Sequence, residues 1–132
     1  MTSEKKFVPR AVLRGITTFI TLYVLFIIVG SVIGAHHGSL LLSLQLLTFL
    51  LSGYVAAWVA GQRGWFHGMI VGIPLPLVIA IGFVILAQGG HTQLDILWKL
   101  VVVWLLQSIA LCALGGFIFD IQLYLSKLRQ RP

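Results

Sequence analysis

The residues best able to do chemistry in this chain are its histidines and its few acidic residues. His36 and His37 lie in one Gly-containing segment, and His91 lies in another, with Asp95 close behind it. Imidazole and carboxylate groups are ligands for zinc and copper. Both segments are short, however, and no recognised ligand spacing such as H-x-x-x-H occurs. We therefore predict no metal or haem site. The sequence alone leaves open whether these three histidines bind a metal.

Motifs for nucleophilic, acid–base and phosphate chemistry are not found in the sequence either. It contains no nucleophile–base pair, no phosphate-binding loop and no pair of carboxylates. The single cysteine, Cys112, falls within an apolar run, which favours a small buried packing residue. The sequence therefore predicts no catalytic residue, no cofactor and no enzymatic activity.

Two amide side chains, Gln45 and Gln107, stand in the middle of long apolar segments. They could line a pore or bind a polar headgroup. They could equally bond each other, or a backbone carbonyl freed by a proline, for about 1–2 kcal/mol at most. No ionisable side chain accompanies them at the centre of a segment. This argues against a proton-coupled transporter, because such a carrier needs a group that changes charge.

One pair of opposite charges is expected to have a structural role. Arg63 lies in a short connection between two apolar segments, and Asp120 follows the last apolar segment. We predict an ion pair between them that ties the last helix to the hairpin before it.

The elements that carry these residues are membrane spans. The chain is 59% hydrophobic and 9% charged, against about 45–50% and about 25% in soluble domains. Nine basic residues minus three acidic ones give a net charge of +6. No charged residue occurs between Arg14 and Arg63, between Arg63 and Asp95, or between Lys99 and Asp120. Since a charge at the bilayer centre costs at least about 2.5–3.5 kcal/mol, these gaps indicate an integral membrane protein. The gaps exclude a soluble enzyme. They also indicate that the basic charge does not serve to bind a nucleic acid.

We predict a single all-α transmembrane domain of four antiparallel helices, because the connections are short and about 20 apolar residues cross a bilayer. The helical pattern continues after the last span, so that helix is expected to extend past the membrane and to lie along its inner surface or project from it. The spans are expected at about residues 15–35, 40–61, 65–87 and 96–119, with basic tails at 1–14 and 120–132.

The distribution of basic residues predicts the orientation. Lysine and arginine accumulate on the cytoplasmic side of a membrane protein, so both termini are expected there. The basic tails should also contact anionic lipid headgroups. The residues on this side are Lys5, Lys6, Arg10, Arg14, Arg63, Lys127, Arg129 and Arg131.

Small residues recur at four-residue spacing in every span. Helices in lipid associate by close packing over such residues, so we expect a compact bundle in which spans two, three and four approach most closely at the inner half. Pro74 and Pro76 should kink the third span. The predicted packing residues are Gly30, Gly34, Gly53, Ala57, Gly61, Gly64, Gly68, Gly72, Ser108, Cys112 and Gly116.

Residues 52–68, SGYVAAWVAGQRGWFHG, and residues 113–116, ALGG, resemble the signature of the YrzE-like family of small four-span bacterial membrane proteins. In that family a Gly- and Ala-rich second span passes through a basic turn into Gly-Trp. The resemblance implies the same order of four spans and carries over no catalytic or ligand-binding residue. Pro74 and Pro76 depart from the family pattern, which is usually plain apolar there.

These observations predict a non-catalytic accessory or assembly subunit of the bacterial cytoplasmic membrane. It would bind other membrane proteins through the small-residue helix faces, within a larger complex or a homo-oligomer. The alternative is a small oligomeric channel or carrier for a small solute, built around the kinked third span, Gln45 and Gln107.

Overall fold

The computed structural model describes residues 7–33, 38–86 and 94–130 of the chain. Within these ranges the protein forms helices and no strand, as expected of an apolar chain that must satisfy its backbone groups within each segment. The helices are α1 (Pro9–Ile33), α2 (Gly38–Ala60), α3 (Gly64–Gly72), α4 (Leu75–Leu86) and α5 (Leu94–Arg129).

Four helical segments are long and apolar enough to cross a membrane, which confirms the predicted fold class. Helices α1, α2 and α5 each supply one, and α3 with the start of α4 supplies the third span, Gly64–Ile81. Helix α1 begins earlier than the predicted first span, at Pro9. Helix α5 continues without a break to Arg129, which confirms the predicted extension of the last helix beyond its span.

The third span is interrupted at its prolines. Helix α3 ends at Gly72, and α4 begins at Leu75. Pro74 has no N–H to give to the Ile70 carbonyl, so that carbonyl accepts the Ile73 N–H instead, at 3.3 Å. This bond spans three residues instead of the four of an α-helix, so it tightens the last turn of α3. The chain then begins a separate helix, α4.

Helices α2, α3 and α5 pack backbone against backbone. A Cβ added to Gly53 of α2 or to Gly68 of α3 would meet the carbonyl of Cys112 on α5, and Gly64 and Gly116 each lie against the other's carbonyl. Side chains of ordinary size would hold these helices apart, so the glycines permit the contact. The predicted packing residues that are buried are Gly53, Ala57, Gly64, Gly68, Gly72, Ser108, Cys112 and Gly116.

The other three predicted packing residues have different outcomes. Gly30 is half-buried near the end of α1, and Gly34 lies outside the described residues. The expectation for Gly61 was wrong. Gly61 is exposed, a Cβ there would meet nothing within 4 Å, and its φ is +65°. It ends α2 in the left-handed conformation, with its N–H donating to the Ala57 carbonyl at 2.9 Å.

Candidate functional site

The charged groups of the described residues concentrate at one end of the helix bundle. The Val8 N–H, just before α1, donates to His67 of α3, and Asp120 of α5 accepts from the first residues of α3. These contacts bring together the start of α1, the α2–α3 turn and the last part of α5. Five exposed basic side chains lie on these segments, and we call this the basic end: Arg10, Arg14, Arg63, Lys127 and Arg129.

Asp120 caps the first turn of α3 and does not make the predicted ion pair. Its Oδ1 accepts the N–H of Gly64 at 2.8 Å, and its Oδ2 accepts the N–H of Trp65 at 3.1 Å. The α3 N-terminus has no side-chain cap from Arg63, the residue that precedes it. Because the first amides of a helix lack partners within the helix and carry partial positive charge, they hold the carboxylate in place of the guanidinium. Asp120 therefore does tie α5 to the α2–α3 hairpin, but the donors are backbone amides of α3 and not the Arg63 guanidinium.

His67 holds the start of α1 against α3. Its ring is almost fully buried, and its Nε2 accepts the Val8 N–H at 3.3 Å. Since Nε2 accepts, Nδ1 carries the proton and donates to the Arg63 carbonyl at 3.1 Å. Phe7 stacks parallel to the ring, with a centroid separation of 5.9 Å. The imidazole thus connects the start of α1 to the α2–α3 turn.

The α2–α3 turn holds Arg63 in a backbone conformation that non-glycine residues rarely adopt. Its φ and ψ are 44° and 53°, which costs about 1–3 kcal/mol. The carbonyl of Arg63 accepts the N–H groups of Phe66 and His67, at 3.1 and 3.3 Å, besides the His67 ring. This network fixes the turn and leaves the arginine side chain exposed at the basic end.

The second proline of the third span also leaves a carbonyl free, and a serine of α5 satisfies it. Pro76 has no N–H for the Gly72 carbonyl, four residues earlier. The Ser108 hydroxyl donates to that oxygen at 2.7 Å, and it lies 3.0 Å from the Leu105 carbonyl of its own helix. Ser108 is fully buried, so this bond joins α5 to the break in the third span.

Gln45 and Gln107 are both half-buried, on α2 and α5. The bond to the freed Gly72 carbonyl, expected of one of these amides, comes from Ser108 instead. Neighbouring residues on a helix point about 100° apart, which is why Ser108 faces α3 and Gln107 does not share that direction.

The buried polar groups between α2 and α5 are already engaged. Cys112 donates its S–H to the Phe49 carbonyl at 3.3 Å, and Ser52 donates to the same carbonyl at 2.8 Å. The two side chains lie 3.5 Å apart and are both fully buried.

No group of three or more metal-binding side chains occurs among the described residues. His36, His37, His91 and the side chain of Asp95 lie outside them.

A shallow apolar groove of about 450 Å³ lies between α3 and α5 on the outer surface of the bundle. It begins near the basic end and follows α5 inward for about two turns. Several lining side chains are about half exposed: Trp65 47%, Leu114 48% and Phe117 50%. The lining residues are Trp65, Ala110, Ala113, Leu114 and Phe117.

Sequence reasoning missed several residues that build this end. Gly15 lets α1 approach α3, since a Cβ there would lie 2.7 Å from a Val71 methyl carbon, and Gly115 lies against the Leu50 carbonyl of α2. Gly15 was overlooked because it was assigned to the boundary of the first span. The four-residue spacing from Gly15 to the buried Phe19 was the available signal.

Comparisons with protein-family models, with curated proteins and with solved structures gave no match to this chain. The resemblance to the YrzE-like family therefore stays a prediction. What the sequence and the structure establish together is an all-helical, multi-pass membrane protein with four candidate spans.

Proposed function

We propose that this chain is a non-catalytic accessory or assembly subunit that binds another membrane protein in the bacterial cytoplasmic membrane. The observation that carries the proposal is an apolar face on the part of α5 that extends beyond the bundle. Both termini lie in the cytoplasm in this proposal, so the extended part of α5 is cytoplasmic too.

The length of α5 exceeds what a membrane requires. It has 36 residues, or about 54 Å at about 1.5 Å per residue, against about 30 Å for the hydrocarbon core. Asp120 and Gln122 mark the end of the bundle, because Asp120 contacts the first residues of α3 and Gln122 accepts the Tyr54 hydroxyl of α2 at 2.7 Å. The residues from 123 to 129 therefore extend past that end by about 10 Å.

The last three turns of α5 carry an exposed apolar stripe. Ile121, Tyr124, Leu125 and Leu128 are 43%, 64%, 57% and 46% exposed. Their spacing, i, i+3, i+4 and i+7, places them on one face of the helix. Such a stripe at the end of a helix that leaves the bundle is a surface that a partner helix can cover. We call these four residues the docking stripe.

The small-residue faces are less suitable for a partner than the sequence predicted. Gly53, Gly64, Gly68 and Gly116 face neighbouring helices of the same chain, and a Cβ on any of them would meet backbone atoms. They build the bundle, so we assign the binding of a second protein to the docking stripe instead.

The orientation is supported by the basic end. Its five exposed basic residues lie on three segments that the contacts of His67 and Asp120 hold together. Lys99 lies toward the N-terminal end of α5, about 30 Å from Asp120. Such an asymmetry is typical of the cytoplasmic side.

The alternative, a small channel or carrier, has less support. The contact between α2, α3 and α5 is close-packed, with Gly53 and Gly68 against the Cys112 carbonyl. The Gly72 carbonyl freed in the third span is bonded by Ser108, so it is not available to a solute.

Purification of the natively expressed, tagged chain in mild detergent tests the proposal. We expect a stoichiometric larger membrane protein in the eluate, identified by mass spectrometry. Leu125→Glu places a charge in the docking stripe and should abolish this co-purification. Ser126→Glu is the matched control, because it adds the same charge to an exposed position on another face.

Two results would contradict the proposal. One is a homo-oligomer with no other protein bound, which would favour solute flux assays in liposomes with Gln107→Leu as the test variant. The other is an equal loss of the partner in both glutamate variants, because the docking stripe would then have no special role.

A further inference from the structure

The groove between α3 and α5 opens toward the lipid. It lies beside the third and fourth spans, and its lining residues include no charged group. Trp65, at its basic end, is a residue type that prefers the depth of the lipid headgroups. From Phe117 to Ala110 the groove follows α5 inward for about 10 Å. Its shape and lining suit a hydrocarbon chain that enters at the headgroup level and runs toward the bilayer centre.

Two exposed cations lie on the basic-end side of the groove. Arg63 is exposed and precedes Trp65 by two residues in a turn whose backbone is fixed by the His67 contacts. Lys127 is exposed and follows the groove residue Ala113 by fourteen residues, or close to four turns, so that both lie on the same face of α5.

Among the described residues, the acidic group near this end has its oxygens turned to other donors. Asp120 lies between Ala113 and Lys127 on that face, and its two carboxylate oxygens bind the Gly64 and Trp65 amides. Those amides therefore partly compensate its charge. Arg63 is then the exposed charge two residues from Trp65, and Lys127 is exposed on the same face of α5, about 15 Å beyond Phe117.

From this arrangement we infer that the groove is a binding site for one anionic phospholipid of the leaflet at the basic end. One acyl chain lies against Ala110, Ala113 and Leu114. The phosphate group binds Arg63 and Lys127. The argument for a lipid is charge complementarity at the mouth combined with an apolar, membrane-facing groove. A partner helix would satisfy the groove but would leave the two cations without a counter-charge.

Native mass spectrometry of the full chain in detergent, titrated with phosphatidylglycerol or with phosphatidylcholine, tests this site. We expect one tightly retained phosphatidylglycerol per chain, with a preference over phosphatidylcholine of about tenfold or more, as two nearby cations predict. The double change Arg63→Gln and Lys127→Gln should reduce that preference to about twofold or less. Lys99→Gln, which removes a charge at the other end, should leave it unchanged.

A second pair of variants tests the groove itself. Ala110→Phe fills it from an exposed position and should remove the retained lipid, whereas Val103→Phe, one heptad earlier and also exposed, should not. Circular dichroism and gel filtration confirm that each variant is folded.

Four results would overturn the inference. They are equal retention of the two lipids, an equal effect of the Arg63/Lys127 and Lys99 changes, displacement of the lipid by inorganic phosphate, and dissociation of a dimer by Ala110→Phe. The last result would identify the occupant as a second copy of the chain.

Discussion

Asp120 and His67 both hold segments together at the basic end, and each does so through backbone groups of another segment. The carboxylate accepts two amides of α3, and the imidazole accepts the amide of Val8 while donating to the carbonyl of Arg63. Bonds to an ionised carboxylate are about twice as strong as those between neutral groups. A single residue on α5 can therefore hold a helix end that its own chain neighbours leave without a cap.

Replacement of Asp120 separates the observed cap from the predicted ion pair. Asp120→Ala removes two charge-assisted hydrogen bonds and leaves two helix amides without partners, so we expect a loss of about 1–3 kcal/mol in the free energy of unfolding. Arg63→Gln should change it by less than about 0.5 kcal/mol. Unfolding in mixed micelles with increasing dodecyl sulfate measures both. A loss of similar size in the two variants would restore the ion pair as the main interaction.

At the scale of elements, the broken third span shows how the chain accommodates two prolines in lipid. The Ile70 carbonyl is satisfied locally by Ile73, and the Gly72 carbonyl is satisfied from α5 by Ser108. An unsatisfied carbonyl in hydrocarbon costs several kcal/mol. The break is therefore maintained by a specific contact between two spans rather than by the prolines alone.

A double-mutant cycle at this break tests that account. Ser108→Ala should cost about 1–2 kcal/mol in the wild-type background. Pro76→Ala supplies an N–H four residues after Gly72, so in that background the serine should matter less. We expect a coupling energy of at least about 0.5 kcal/mol between the two changes. Ser126→Ala, whose hydroxyl bonds its own helix at an exposed position, serves as the control. Strictly additive losses would show that Ser108 does not serve the carbonyl freed by Pro76.

The sequence predicted the break but not the residue that satisfies it, and the reason is geometric. Apolar runs and Pro74 define a span and its interruption from local chemistry. Whether Gln107 or Ser108 faces Gly72 depends on the rotation of α5 against α3, and the sequence does not state that rotation. Opposite charges likewise suggested Arg63 for Asp120, whereas the amides of α3 are present in every helix and leave no mark in a sequence.

At the scale of the whole molecule, the packing is closest toward the basic end. The buried residues of α1 are Ala11, Gly15 and Phe19, all in its first half. Further along the same helix, Val24 and Val32 are 50% and 81% exposed. Glycine contacts among α2, α3 and α5 make the first half of the third span part of a tight assembly. The second half of α1 exposes more of its side chains than the first half does.

The proposed orientation can be measured with two introduced cysteines. Lys99→Cys and Ser126→Cys lie at opposite ends of α5 and are both exposed, whereas the native Cys112 is fully buried. A membrane-impermeant maleimide should label Lys99→Cys in intact spheroplasts and should label Ser126→Cys only after lysis, because basic ends face the cytoplasm. The reverse pattern of labelling would refute the orientation, and the wild-type chain provides the background.

The cap on α3 has a consequence for the time course of biosynthesis. Gly64 is translated 56 residues before Asp120, the residue that binds its amide. At about 5–20 residues per second, the second and third spans wait about 3–11 s for that carboxylate. During this interval the first turn of α3 has no partner from α5, and the hairpin depends on water, on lipid headgroups or on the insertion machinery for its exposed amides. Completion of the last span therefore acts as the final step of assembly, and a chain that stops before residue 120 leaves the hairpin in this immature state.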